Sequence, residues 1–273
     1  MSQSLKRMGR KGNIRCGLPV TQNGITLYPI EMLHYEDFLS CKDAITLRLS
    51  TLPVKYLSQD YFSAIYSFEL DSYEKTGKSI GLLSRLIRFF ELSLRIEEHE
   101  SFSENLFEYE KNGDQLIVKS INVKQNDTII KITPFVFSTA IRPILAELNG
   151  LKLPDESENL DLVIANEQKA ELQNHTKPLN VNTDDLIASV AYQSNCRERD
   201  IMSWTVREFE LRRNAIERNK KFTLYGQAEM GGMVSFKKGN PAPSWCYDVL
   251  DESLGTQSLS ELNFGNAQQK LNE

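Results

Sequence analysis

The sequence predicts an α+β protein: an N-terminal mixed domain with a small antiparallel sheet and a buried central helix, followed by a helical C-terminal module. Three observations predict it. The run Ile80–Ile96 (IGLLSRLIRFFELSLRI) repeats apolar residues at steps of three and four on almost every side, leaving only an arginine-rich strip for water. Three short strand-like runs follow, Asn105–Glu110, Asp114–Ser120 and Thr128–Thr133, separated by the turn pairs Asn112-Gly113 and Asn126-Asp127. From Thr183 onward, helical patterns ending on a glycine stop replace the strand patterns.

Taken in order, residues 1–13 form a basic arm expected to be disordered; Lys6, Arg7, Arg10 and Lys11, with Arg15 just beyond, carry no acid among them. The α+β domain is expected over residues 14–150. It opens on Leu18–Val20 and Ile25–Ile30, two strands of a hairpin about Asn23-Gly24, with Pro29 fitting only a strand end. Met32–Leu39 reads as a helix, Ala44–Leu49 as a short extended run stopped by Pro53, and Asp60–Leu70 as a second helix. The central helix is expected from about Lys78 to Ile96, where Phe90→Ala should cost about 3–5 kcal/mol. After the three strands, Thr133-Pro134 opens a helix to Leu148 that Asn149-Gly150 stops and Pro143 must kink or split.

Residues 151–182 read as an acidic linker with a short helix through Leu160–Leu172. Residues 183–247 read as a helical interaction module. Thr183-Asp184-Asp185 supplies acceptors to a first helix, and Thr205 with Glu208 forms a capping box for a long helix through Met230, ended by Gly231-Gly232. Residues 248–273 read as a mobile polar tail.

The chain of 273 residues is long enough to bury a core, and its net charge of −5 gives no global pull towards nucleic acid. Cys16, Cys41, Cys196 and Cys246 stand far apart without a CxxC pair, which predicts free thiols and no metal site. Arg85, Arg88, Glu91 and Arg95 exclude Ile80–Ile96 as a membrane span. No apolar segment follows the basic N-terminus, so a cytoplasmic location is expected.

Candidate chemistry is sparse, and no catalytic, cofactor or metal residues are assigned. Gly77-Lys78-Ser79 is a fragment of a phosphate loop, but Ser72 stands where the first glycine belongs and the run before it is helical; Ser79 or Thr76 is the expected helix cap. His34 and Asp37 would share a helix face without a second histidine nearby, which fits a structural histidine. The unit Asp184–Asn219 has the outline of a helix-turn-helix, whose last helix bears Arg207, Arg212, Arg213, Arg218, Lys220 and Lys221. Glu208, Glu210 and Glu217 are interleaved among them, and the pairs Glu208–Arg212 and Glu217–Lys221 suit a solvated face. Val206, Phe209, Ile216, Phe222 and Tyr225 are read as the apolar side of this helix. With Trp204, the residues Phe209, Ile216, Phe222 and Tyr225 are the candidate partner contacts.

Several runs resemble proteins encoded among the tail genes of tailed phages of Gram-positive bacteria. They are Tyr28-Pro29-Ile30-Glu31-Met32 with Tyr35-Glu36-Asp37-Phe38; Lys131-Ile132-Thr133; Ile141-Arg142-Pro143-Ile144; Asn149-Gly150; Leu153-Pro154-Asp155; Thr205-Val206-Arg207-Glu208-Phe209; and Tyr225, Ala228-Glu229, Gly232-Met233-Val234 and Phe236-Lys237. The similarity covers about residues 17–247. It implies a non-enzymatic tail assembly chaperone in the bacterial host cytoplasm. Its partner would be the tape measure protein or another tail protein, with self-association as a second mode, and neither nucleic acid nor membrane is expected. The alternatives are a structural component of the virion tail and a helix-turn-helix-like DNA-binding regulator.

Overall fold

The structure is a computed structural model describing residues 9–95, 106–112, 115–125, 128–156, 182–232, 240–242 and 244–246. Residues 1–8 of the expected arm, the expected linker helix Leu160–Leu172 and the tail 248–273 lie outside the described residues. Helices and two small antiparallel sheets make the described protein α+β.

The basic segment departs from the expected arm, because Arg10–Arg15 forms a helix, α1. Ile14 is buried beneath it and Arg10 pairs with Glu147 at 2.9 Å, so apolar anchoring and an ion pair hold a stretch whose composition suggests solvation. Strands β1 (Val20–Gln22) and β2 (Ile25–Leu27) form the expected hairpin. Asn23 and Gly24 both take positive φ, 51° and 82°, which matches the right-handed twist of the two strands. A 3-10 turn over Met32–His34 leads into α2 (Tyr35–Cys41). The expected extended run at Ala44 is instead a short helix, α3 (Asp43–Thr46), whose Ala44 and Ile45 are buried on one side. Two residues cannot distinguish a strand face from a helix face, and packing decides it here.

Helix α4 (Tyr61–Thr76) starts at Asp60, whose carboxylate accepts from the Ser63 backbone N–H at 3.0 Å. It continues past the expected stop at Leu70 to Gly77, which closes it in the left-handed region. Helix α5 (Leu82–Leu94) is the central helix, with Leu86, Phe89 and Phe90 buried. Around it the rings interlock: Phe38 meets Phe89, Phe90 meets Phe137 edge-on, and Phe62 meets both Phe137 and Phe107.

Strands β3 (Phe107–Asn112), β4 (Gln115–Gln125) and β5 (Thr128–Ile132) form the meander in sequence order. β4 outruns its expected end at Ser120, and its Gln125 side chain exchanges two hydrogen bonds with the Thr26 backbone, at 2.8 and 2.9 Å, joining this sheet to β2. Pro143 acts as expected. The helical run divides into α6 (Pro134–Val136), a π-helical stretch Phe137–Ile141 and α7 (Arg142–Leu148), the wide turn accommodating the missing N–H. Arg142 is buried over the Tyr61 ring, 3.4 Å from its centroid, and donates to the carbonyls of Ile45 and Leu47.

The C-terminal helices are α8 (Thr183–Ser194), α9 (Glu198–Ile201) and α10 (Val206–Met230). Among the described residues, 9–156 and 184–213 form one compact unit, and 182–183 with 214 onward belong to a second. A module starting at residue 183 is therefore corrected: the division falls inside α10, between Arg213 and Asn214. Ile187, Val190, Ala191, Ile201, Val206 and Phe209 are buried in the first unit, so the apolar faces of α8, α9 and early α10 are core. No helix among the described residues is long and apolar enough to cross a membrane.

Candidate functional site

Helix α10 carries most of the candidate contacts, and its first turns are built from distant parts of the chain. Thr205 and Glu208 form the expected capping box: Glu208 Oε2 accepts from the Thr205 N–H at 2.9 Å, and Thr205 Oγ1 accepts from the Glu208 N–H at 3.1 Å. The Tyr28–Met32 run lies alongside, with the Val206 N–H donating to Ile30 O and the Met32 N–H to Trp204 O, each at 2.8 Å. The Ile30 N–H donates to Asn149 Oδ1 at 2.9 Å, and Asn149 Nδ2 donates onward to Leu145 O at 2.8 Å. Gly150 sits at φ 71° with Arg207 Cγ 3.2 Å from where a Cβ would stand, so only glycine fits without a shift. Tyr35 donates to Glu210 at 2.8 Å and meets Phe209 edge-on at 5.5 Å. Burial first, then the bond to Glu210, push the Tyr35 phenol above its ordinary range.

The five candidate contacts separate. Phe209 is 0 % exposed and is corrected from a partner contact to a core residue. Trp204 is half-buried, with the Arg212 guanidinium over its ring at 5.2 Å, in the turn between α9 and α10. Ile216, Phe222 and Tyr225 are half-buried in the second unit. They do not share one side, as a common apolar side requires. Nine positions separate Ile216 from Tyr225, about two and a half turns at roughly 3.6 residues per turn, which puts them on opposite faces. Ile216 continues the meridian of Val206 and Phe209, whereas Phe222 and Tyr225, three apart, form a stripe of their own.

The phosphate-loop fragment takes no part in such a loop. Glu69 of α4, only 8 % exposed, turns its carboxylate onto the start of α5 and accepts from Ser79 Oγ, from the Gly81 N–H at 2.9 Å and from the Leu82 N–H at 3.0 Å. Burial alone would raise its pKa, but these bonds outweigh it and hold the carboxyl below its ordinary value. The place a phosphate would use is thus filled by the protein's own anion. The expected cap by Ser79 or Thr76 is corrected accordingly: Gly81 occupies the N-cap position and Glu69 supplies the acceptors, an arrangement no local spacing reveals.

His34 is exposed, and Asp37 pairs with Arg88 at 2.6 Å. Cys41 is buried, and burial first, then the charge of Asp37, push its thiol up to about 12. No group of three metal-ligating side chains occurs among the described residues. Of the two expected helix pairs only Glu217–Lys221 forms, at 2.7 Å, because Glu208 is taken by the cap and Arg212 by Trp204. Arg207 donates to Ile14 O at 3.3 Å, Arg213 pairs with Glu210 at 2.7 Å and Arg218 donates to Cys246 O at 3.2 Å.

Sequence reasoning missed an open cleft of about 790 Å³ beside α4, lined in part by Lys55, Tyr56, Gln59, Asp71 and Ile117. Two of its charged groups pair with each other: Asp71 accepts from Lys55 and, at 2.7 Å, from the Tyr56 hydroxyl. Phe222 and Tyr225 therefore stand as the candidate site, a docking stripe on the outer length of α10. No family model, curated protein or solved structure matches the chain.

Proposed function

We propose that this chain is a non-enzymatic binding protein of phage tail assembly, a chaperone that holds the tape measure protein soluble until tail tube encloses it. One observation carries the reading. The outer length of α10 presents the half-buried aromatic pair Phe222 and Tyr225 on one face. An elongated helical partner exposes apolar stripes of matching period before it is packaged, and a helix bearing aromatic anchors can cover them. The sequence resemblance to tail-gene products supplies the identity of that partner.

Co-expression with the tape measure protein tests the reading. The partner should be recovered soluble with this chain and aggregated without it, and Phe222→Ser with Tyr225→Ser should abolish the rescue. Equal solubility in the absence of this chain overturns the proposal. Mass spectrometry of purified particles should find the chain absent; stoichiometric presence would favour a structural tail component instead.

A further inference from the structure

The cleft beside α4 is built entirely from the first unit, and its use does not depend on the stripe of α10. One face of α4 runs along it: Ser63, Ser67, Leu70 and Glu74 follow one another at steps of four, three and four. The 3-10 turn over Val54–Tyr56 and strand β4 add Lys55, Tyr56, Ile117 and Val118 to the lining. Its volume of about 790 Å³ is in the range of ligand-binding sites. From Ser63 to Glu74 the helix rises about 16 Å, the span of roughly five residues of extended chain.

Two kinds of unused capacity meet there. Leu70 and Ile117 line the cleft yet are 37 % and 41 % exposed. Exposed Tyr109 stands nearby, its ring 6.1 Å from that of the lining residue Tyr66. Single apolar side chains are ordinary on a surface, but apolar side chains gathered about one polar cleft mark an interaction site. The polar side is equally incomplete. Gln59 accepts from the Ser67 hydroxyl at 3.0 Å, and its amide N–H groups have no partner among the described residues. Asp60 is used by the cap of α4. Asp71 takes Lys55 and Tyr56 on Oδ2, which leaves Oδ1 open, and Glu74 has no ion pair among the described residues. The bonds from Lys55 and then Tyr56 hold the Asp71 carboxyl below its ordinary range, so it stays charged. Three carboxylates thus line the cleft against one ammonium, a balance that repels anions.

We propose that this cleft docks an extended basic segment of a protein partner, whose lysine or arginine side chains reach Asp71 and Glu74 and whose apolar side chains settle on Leu70 and Ile117. An extended chain suits the site, because its unpaired backbone carbonyls can take the Gln59 amide N–H groups and its side chains spread to both sides. The charges select the segment and the apolar contacts hold it.

Fluorescence anisotropy with the full chain tests it. The labelled probe is a hexapeptide of three Leu-Lys repeats, and its counterpart carries glutamate in place of every lysine. The lysine probe should bind at least about tenfold more tightly than the glutamate probe, and added salt should weaken it. Glu74→Lys and Leu70→Ser lie at exposed positions, so both variants keep the fold. Each should weaken the lysine probe about fivefold or more, Glu74→Lys through like-charge repulsion and Leu70→Ser through the lost apolar contact. Glu36→Lys, the same charge change at an exposed position of α2, should leave binding unchanged. A lysine probe that binds no better than the glutamate probe, or that Glu74→Lys and Glu36→Lys weaken alike, overturns the proposal. So does a dimer in analytical ultracentrifugation that Glu74→Lys dissolves, which would assign the cleft to a second copy of this chain.

Discussion

The two lengths of α10 obey different rules although one unbroken helix contains them. Val206 to Arg213 is defined by the rest of the chain: its cap lies against the Tyr28–Met32 run, its Phe209 is core, and its Glu210 is bound by a tyrosine 175 residues away. Asn214 to Met230 has no buried residue; Glu217 pairs within the helix, and Arg218 and Glu229 bond to Asn240–Cys246. Helical conformation is common to both, but burial separates a length packed into the core from one that is half-buried or exposed. Aromatic content does not distinguish them, since each length carries phenylalanine.

The strongest test of that difference is a phenylalanine deleted from each side of it. Phe209→Ala should destabilise the protein by about 3–5 kcal/mol in urea unfolding, the cost of a large cavity in a packed core. Phe222→Ala should cost less than about 1 kcal/mol, as a half-buried side chain does. Similar costs would mean that the outer length is core as well.

A carboxylate pair sharpens the contrast. Glu69→Gln, in the same unit as the first turns of α10, should cost about 1–3 kcal/mol at neutral pH, because buried donors lose a charged acceptor. The folded-state pKa of Glu69 is depressed, so its stabilisation is complete above the unfolded-state value and disappears as pH falls through the folded-state value. The difference between wild type and Glu69→Gln should accordingly shrink on acidification. Glu217→Gln, on the outer length and in an exposed pair, should stay within about 0.5 kcal/mol at any pH. A gap for Glu69→Gln that widens in acid would refute the role given to its hydrogen bonds.

Thr205→Ala comes next, at about 1 kcal/mol, the cost of a lost N-cap. Thermal unfolding should show it as a small drop in Tm, and amide exchange should quicken at Glu208 and Phe209 ahead of the outer turns. Faster exchange confined to the outer turns would place the anchor of α10 elsewhere.

The boundary inside α10 shows which features the sequence discloses. The Asn23-Gly24 turn, the Thr205–Glu208 capping box, the split at Pro143 and the stop at Gly231-Gly232 were legible because each acts within a few residues. Helix α5 was legible because its apolar period runs on nearly every side. Phe209 looked like Phe222 because both are aromatic residues on a helix; what separates them is contact with Tyr35 and the Tyr28–Met32 run, invisible to any local window. The grouping of Ile216 with Tyr225 is different, since the helical period alone separates them. Glu69 gave no signal, because its target lies ten to thirteen residues downstream across a turn. The α1 helix was hidden by charge, its fixation resting on Ile14 and on Glu147 far along the chain.

The smallest expected change in stability carries the largest functional one. Tyr225→Ala should leave the unfolding midpoint almost unmoved, since the side chain is half-buried on an outer turn. The same substitution should reduce recovery of soluble tape measure protein, because aromatic anchors dominate the energy of helix-in-groove contacts. Ile216→Ala, on the opposite face of the same helix, serves as the matched control: similar in burial, equally mild in stability, and without effect on the partner. Loss of rescue by both variants would show that the partner surrounds the helix instead of reading one stripe. Loss by Ile216→Ala alone would move the docking surface to the meridian that Val206 and Phe209 begin, and the outer length of α10 would then be an extension of the structural one.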